Sequence, residues 1–321
     1  MAVLIYSVTV AFCNQQESDY LLVLIAGEVF TMKVGFVNIF GKPNAGKSTL
    51  LNALLGEKLA IISSKVQTTR HRIKGILTTP EYQVIISDTP GIIEPKYKLH
   101  EKMMAAVREA LEDADVAVLL HDLTDSNTSE SHEIFSKLKL NVPVIVVCNK
   151  ADKVSKEKME EITGFFKQQD YCKDTIAIAA IKGSNIDELL KKVTILLPEG
   201  QPFFAEDEMT DLPTRFFVGE MIREKIYELY EEEIPYHTTV LVQEFKEKTT
   251  LIKIQADIIV QRDTQKGIIL GEGGQRIKAL GTAARKDIEK FLGQKVFLEL
   301  FVKIKPKWRD NDLFLKEYGY H

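Results

Sequence analysis

From Lys33 to about Gly200 the chain alternates short, nearly unbroken apolar runs with stretches of helical periodicity. Runs at 34–40, 83–87, 116–120, 142–148 and 175–180 have the length of strands buried on both faces. Segments 48–55, 98–113, 130–138 and 186–197 space their apolar residues three and four apart, as one face of a helix does. This alternation predicts a doubly wound α/β domain, a mainly parallel sheet wrapped by helices. The stretch 198–213 breaks the pattern with Pro198, Pro202, Pro213 and the acidic Glu206, Asp207 and Glu208. Beyond it the order is helix (216–230), strand (239–245), strand (250–260), helix-turn-helix (265–292) and strand (295–305), an α+β domain. The expected division is an N-terminal extension over 1–31, the α/β domain over 32–200, a linker over 201–213 and the second domain over 214–321.

Residues 1–31 hold two apolar bursts, 2–13 and 20–26, split by a polar run at 14–19. Neither reaches the roughly 18–20 residues of a membrane span. The first basic residue is Lys33, so the basic start of a secretory signal is missing. Met32 directly precedes a clean strand and is the expected translation start.

Composition narrows the class. Of 321 residues 45% are hydrophobic, enough to fill two cores. Basic residues number 42 against 46 acidic, a net charge of −4, which excludes a uniformly basic nucleic-acid protein but not a local basic patch. Cys13, Cys148 and Cys172 have no metal-ligand spacing and fit a reduced, cytoplasmic protein.

The stretch Gly41, Lys42, Pro43, Asn44, Ala45, Gly46, Lys47, Ser48, followed by Thr49, fits GxxxxGK[ST] between a strand and a helix. Backbone N–H groups of such a loop curl around phosphate oxygens at the positive end of the helix dipole. Lys47 would neutralise the β- and γ-phosphates and Ser48 would ligate Mg²⁺. Asp88, Thr89, Pro90 and Gly91 close the next strand, placing a carboxylate near that metal and the Gly91 N–H within reach of a γ-phosphate. Asn149, Lys150 and Asp152 follow the run at 142–148. Asp152 can accept two hydrogen bonds from guanine, a donor pair that adenine lacks, which selects GTP and GDP over ATP.

In this order the motifs resemble those of the translation-factor-related GTPases. Gln67, Thr68, Thr69, Arg70, His71 and Arg72 narrow the resemblance to the Era family of Ras-like GTPases. The resemblance implies that a threonine here closes on Mg²⁺ and the γ-phosphate; Thr69 takes the role, with Thr68 as the alternative. It also implies a backbone contact to the base from Ala179 and Ala180, where the family usually has Ser-Ala. Ile92 stands where Ras-type enzymes place a water-orienting Gln, so hydrolysis should be slow in-line attack supported by Lys47, Mg²⁺, Asp88 and backbone donors. Relatives sharing the Pro-Asn-x-Gly-Lys loop hold K⁺ through its Asn, which assigns that role to Asn44.

The second domain resembles a type II KH domain. Gly271, Glu272, Gly273 and Gly274 fit the GxxG loop, which clamps nucleotides by close backbone approach. Arg276, Lys278, Arg285 and Lys286 alternate with Ile277, Leu280, Ala284 and Ile288 at helical spacing, the latter set being core. Between Arg262 and Arg309 twelve Lys/Arg stand against five Asp/Glu, a polyanion footprint inside an acidic chain. Glu272 brings a negative charge to the loop, so phosphate contact should lean on backbone at Gly271 and Gly274, on Gln275 and on Arg276, Lys278 and Arg285. The resemblance implies a monomeric, cytoplasmic switch that binds the 3′ end region of small-subunit ribosomal RNA and acts in assembling that subunit. The rival reading is a signalling GTPase, peripheral on the cytoplasmic face of the inner membrane, whose KH-like domain docks a protein.

Overall fold

The computed structural model describes residues 32–63 and 65–320; the expectations placed on 1–31, Cys13 among them, lie outside the described residues. Strand β1 (Met32–Gly41) is buried along nearly its whole length and centres the first sheet. It pairs in parallel with β3 (Tyr82–Asp88) on one side and β4 (Val116–Asp122) on the other. Strands β5 (Val144–Asn149) and β6 (Asp174–Ala177) extend the sheet in parallel beyond β4. One face is covered by α1 (Lys47–Leu55) and α5 (Ile186–Leu196) through Leu50, Leu51, Leu189 and Val193. The other carries α2 (Lys98–Glu112), α3 (Thr128–Lys137) and α4 (Lys156–Lys167) through Met103, Val107, Phe135, Ile162 and Phe166. Because the strand order reverses at β1, a crevice opens at its carboxyl end, and the phosphate loop occupies that crevice.

Several elements depart from the sequence expectations. Strand β2 (Ile73–Thr78) lies antiparallel to β3, with Ile73 opposite Asp88. The run at 175–180 ends as a strand at Ala177, and Ala180–Lys182 forms a 3₁₀ turn instead. The stretch at 198–213, where the alternating pattern breaks, is fastened to the first domain. Its strand β7 (Glu199–Gly200) pairs with Met32 and Lys33, Gln83 accepts from the N–H groups of Phe203 and Phe204, and Ile76 N–H donates to Met209.

The second domain comprises α6 (Thr214–Leu229), α7 (Ile234–His237), β8 (Thr239–Glu247), β9 (Ile252–Val260), α8 (Asp263–Leu270), α9 (Gln275–Leu292), β10 (Val296–Ile304) and α10 (Asp312–Glu317). Its sheet runs β10-β9-β8, β10 parallel and β8 antiparallel to β9. Val218, Ile222, Ile254, Ala284 and Ile288 form its core. After β10 the chain returns to the first domain, where Trp308, Leu315, Tyr318 and Tyr320 join the apolar cluster built on Leu99, Met103 and Val107 of α2. Helix α6 is buried from Phe217 to Tyr227, charged residues included, because it lies between its own sheet and the loop that precedes β2.

Candidate functional site

The loop after β1 turns through left-handed backbone at Asn44 (φ 62°) and Gly46 (φ 99°). Only glycine fits at position 46, since a Cβ there would stand 2.3 Å from Nδ2 of Asn149. Asn149 donates to the Ala45 carbonyl at 2.9 Å and accepts from the Ala180 N–H at 3.1 Å. Lys150 donates to the Asn44 carbonyl at 3.0 Å and to the Asp122 carboxylate. Asn149 and Lys150 thus brace the phosphate loop. Lys42 points the other way, to Asp125 at 2.7 Å and Glu130 at 2.6 Å. Lys47 folds back over the loop and donates to the carbonyls of Gly41 (3.1 Å) and Lys42 (2.8 Å). Burial pushes its ammonium down to about 8, with Asp88 opposing. A polyphosphate would supply the negative charge that this buried cation lacks.

Beside it, Ser48 Oγ donates to Asp88 Oδ2 at 2.6 Å, Thr69 Oγ1 donates to the same oxygen at 3.0 Å, and the two hydroxyls are 2.8 Å apart. Burial pushes the Asp88 carboxyl up, countered by the Ser48 hydroxyl, Lys47 and the Thr69 hydroxyl. Its Oδ1 is buried without a hydrogen-bond partner among the described residues. An orphaned carboxylate oxygen next to two hydroxyls is a hard-oxygen donor set, and it fits Mg²⁺. Thr68 is not part of it: its hydroxyl turns to the Lys65 carbonyl at 2.7 Å.

Thr89 donates to the Ile39 carbonyl at 2.7 Å, which locks the Asp88–Gly91 turn onto β1. Gly91 then packs against the phosphate loop so closely that a Cβ would meet Pro43 N and Cγ at 2.9 Å. Ile92 donates its N–H to the Gly41 carbonyl at 3.2 Å and packs its side chain on the α2 side of the core. A cavity of about 350 Å³ lies over Pro43, Asn44, Gly46, Lys47, Ser48, Thr49, Thr69, Gly91 and Lys150. Asp152 stands after Lys150, its Oδ2 3.3 Å from the Lys182 ammonium. The geometry is that of a nucleoside polyphosphate site with a divalent cation.

Residues 36–150 match the model of the 50S ribosome-binding GTPase family, and residues 233–309 match the KH domain model. A crystal structure of Era in complex with MgGDPNP and nucleotides 1506–1542 of 16S ribosomal RNA superposes with a TM-score of 0.86 at 44% identity, covering 90% of this chain and 99% of that one. A tyrosine-to-alanine variant of Aquifex aeolicus Era bound to GDP·AlF₄⁻ gives 0.86 at 43%, with the same coverage. GTPase Era of Thermoanaerobacter sp. (strain X514) is 45% identical over 90% of this chain and 96% of its own length. That of Alkaliphilus metalliredigens (strain QYMF) is 41% identical over 90% and 99%. The chain belongs to the Era family of GTPases.

Those two Era structures hold MgGDPNP and GDP·AlF₄⁻ respectively. Relative to the usual Era pattern Ala179 lacks a hydroxyl, yet the Ala180 N–H keeps its place against Asn149. In the KH domain the GxxG turn is built on left-handed glycines, Gly271 (φ 69°), Gly273 (φ 56°) and Gly274 (φ 77°). At Gly271 a Cβ would lie 2.5 Å from Arg276 Cγ. Arg276 itself folds over the Tyr230 ring, its guanidinium carbon 4.6 Å from the centroid. Gln275, Arg276 and Lys278 are exposed in the first turn of α9; Arg285, nine residues on, is exposed roughly 14 Å farther along the helix.

The sequence shows Arg70 only as part of the stretch 67–72 and the segment 216–230 only as a helix. The structure buries Arg70 among the carbonyls of Pro235, Tyr236 and Thr238 at 2.7–3.2 Å. No local pattern signals this, because the partners lie about 165 positions away.

Proposed function

We propose that this chain is a GTP-hydrolysing switch that binds the 3′ end region of 16S ribosomal RNA through its KH domain and acts in assembling the small ribosomal subunit. The observation that carries it is the likeness, over both domains, to an Era structure holding MgGDPNP and nucleotides 1506–1542 of 16S ribosomal RNA. In this reading Mg²⁺ at Ser48, Thr69 and Asp88 neutralises charge on the β- and γ-phosphates. Lys47 supplies a second positive charge, the loop N–H groups from Asn44 to Thr49 cradle phosphate oxygens, and Gly91 meets the γ-phosphate. Asp152 reads guanine, with Asn149, Lys150, Ala179 and Ala180 holding the base end. Ile92 offers no amide to an attacking water, so turnover is slow, and K⁺ at Asn44 raises it. RNA meets Gly271, Gly274, Gln275, Arg276, Lys278 and Arg285, in the cytoplasm, with the protein a monomer. The test is crosslinking of the GTP-bound protein to total RNA followed by sequencing. Reads concentrated at the 3′ end of 16S RNA are expected; reads spread evenly over total RNA would overturn the reading.

A further inference from the structure

We infer that helix α6 of the KH domain positions Thr69 of the GTPase site, with Tyr227 and Arg223 as the positioning residues. Thr69 sits in the long connection between α1 and β2, and α6 grips that connection along its length. Glu224, 1% exposed, accepts from the Ile62 N–H at 3.0 Å and from the Lys58 ammonium at 2.6 Å. Lys65 donates to the carbonyls of Tyr227 (2.5 Å) and Tyr230 (2.6 Å). The decisive pair lies next to the site. Tyr227 Oη donates to the Gln67 carbonyl at 2.9 Å, and Arg223 Nη2 donates to the Thr68 carbonyl at 2.5 Å. Thr69 is the following residue, with its hydroxyl 3.0 Å from Asp88.

Gln67 shows why a grip is needed. It adopts φ 58°, left-handed backbone that a non-glycine residue holds only when its surroundings over-determine it. The Tyr227 hydroxyl and the Arg223 guanidinium, itself fixed by Glu220, supply that determination from the other domain. The first domain's own holds on this turn include the Thr68 hydroxyl on Lys65, Thr69 itself and a long contact from the Tyr97 hydroxyl to the Gln67 side chain at 3.5 Å; none of these reaches the Gln67 or Thr68 carbonyl. Thr69 meets the γ-phosphate side of the site and nothing at the base, so losing the grip should weaken triphosphate binding and spare GDP. This rests on the Thr69 assignment made above.

The test measures dissociation of fluorescent GDPNP and GDP from the full-length protein in the four combinations of Thr69→Ala and Tyr227→Phe. Tyr227→Phe keeps the ring and removes only the hydroxyl. Wild-type GDP affinity in each variant certifies a folded site. Leaving the Gln67 carbonyl unpaired should lower the GDPNP-to-GDP affinity ratio roughly five- to tenfold. In the Thr69→Ala background the same change should do nothing, because a residue that acts through Thr69 has nothing left to act on. Lys65→Met, a change in a partly exposed side chain, should lower the ratio in the same direction and carries the test should Tyr227→Phe misfold. An unchanged ratio in Tyr227→Phe, or an equal fall in both backgrounds, overturns the positioning role. Thr69→Ala leaving the ratio unmoved overturns the Thr69 assignment and the role with it.

Discussion

The Lys182 ammonium stands 3.3 Å from Asp152 Oδ2, beside the loop that carries Ala179 and Ala180. The pairing holds the carboxylate proposed to read the base, but Lys182 is 61% exposed. Exposed ion pairs contribute about 0–1 kcal/mol, so Lys182→Ala should change GTP affinity by no more than roughly fivefold. Asp152→Asn, by contrast, removes the acceptor that guanine needs. It should weaken GTP by one to three orders of magnitude, about 1.4 kcal/mol each, and admit xanthosine triphosphate. Competition binding with both nucleotides measures this; wild-type protein that held ATP as tightly as GTP would refute the base-reading role.

Gly91 approaches the backbone of Pro43, not a flexible side-chain end. Adding one methyl group there forces the Asp88–Gly91 turn away from the phosphate loop, a strain of about 1–3 kcal/mol. Gly91→Ala should therefore depress GTP hydrolysis and leave GDP bound, because in the proposed reading this turn meets the γ-phosphate. Single-turnover hydrolysis and GDP titration separate the two.

The β1–P-loop–α1 unit and its two companion motifs were legible because each is local: a buried run, a glycine turn and a helix start lie in consecutive residues. Strand β2 was not, since Lys74 and Gly75 interrupt its apolar run and only pairing with β3 makes it a strand. Helix α4 buries just Ile162 and Phe166, too few to set a period, although its Ser155 cap, which accepts from the Lys158 N–H, was a readable start signal. Pro and acidic residues mark the linker as a break in the pattern, but its anchors, Gln83 and Ile76, sit in distant strands and leave no local signal. The grip of α6 on residues 58–70 was invisible for the same reason: charged side chains read as surface until a second domain buries them.

Asn44 holds φ 62°, a conformation that asparagine tolerates and alanine does not. Asn44→Gly keeps that backbone and removes the side chain, so it isolates the K⁺ proposal from loop strain. Wild-type hydrolysis should fall when Na⁺ replaces K⁺, and the glycine variant should be slow and indifferent to the cation. Equal rates in both salts for the wild type would dispose of K⁺.

His100, His121 and His237 are each pushed down to about 4, first by burial; Arg309 adds to it at His100 and His237, while Asp125 opposes it at His121. Their ordinary value is 6.5, so between those limits the unfolded chain binds protons that the folded chain refuses. Stability is therefore present above pH about 6.5 and declines as the pH falls toward 4. Thermal melts at descending pH should show the midpoint dropping through this window. His121→Gln, which keeps a polar partner for Ser131, should flatten the slope; a midpoint constant from pH 7 to 4.5 would contradict the assignment.

The two domains meet through the segment that carries Thr69, so the proposed RNA binding should depend on the nucleotide. In the structure Thr69 stands on Ser48 and Asp88 while the Gln67–Arg70 backbone meets α6. If Thr69 meets the γ-phosphate as proposed, a triphosphate should hold this arrangement and a diphosphate should release it. The nonhydrolysable analogue should therefore raise affinity for single-stranded 16S 3′-end RNA relative to GDP, by roughly 5- to 150-fold for a coupling of about 1–3 kcal/mol. Arg276→Glu with Lys278→Glu should abolish RNA binding and leave GTP affinity intact, since both residues lie on α9 and neither lines the nucleotide cavity. Linkage also requires the reverse effect: RNA must tighten the analogue by the same factor. Titrations that gave equal RNA affinity with GDP and analogue would mean that the seam transmits nothing, whatever α6 does for Thr69.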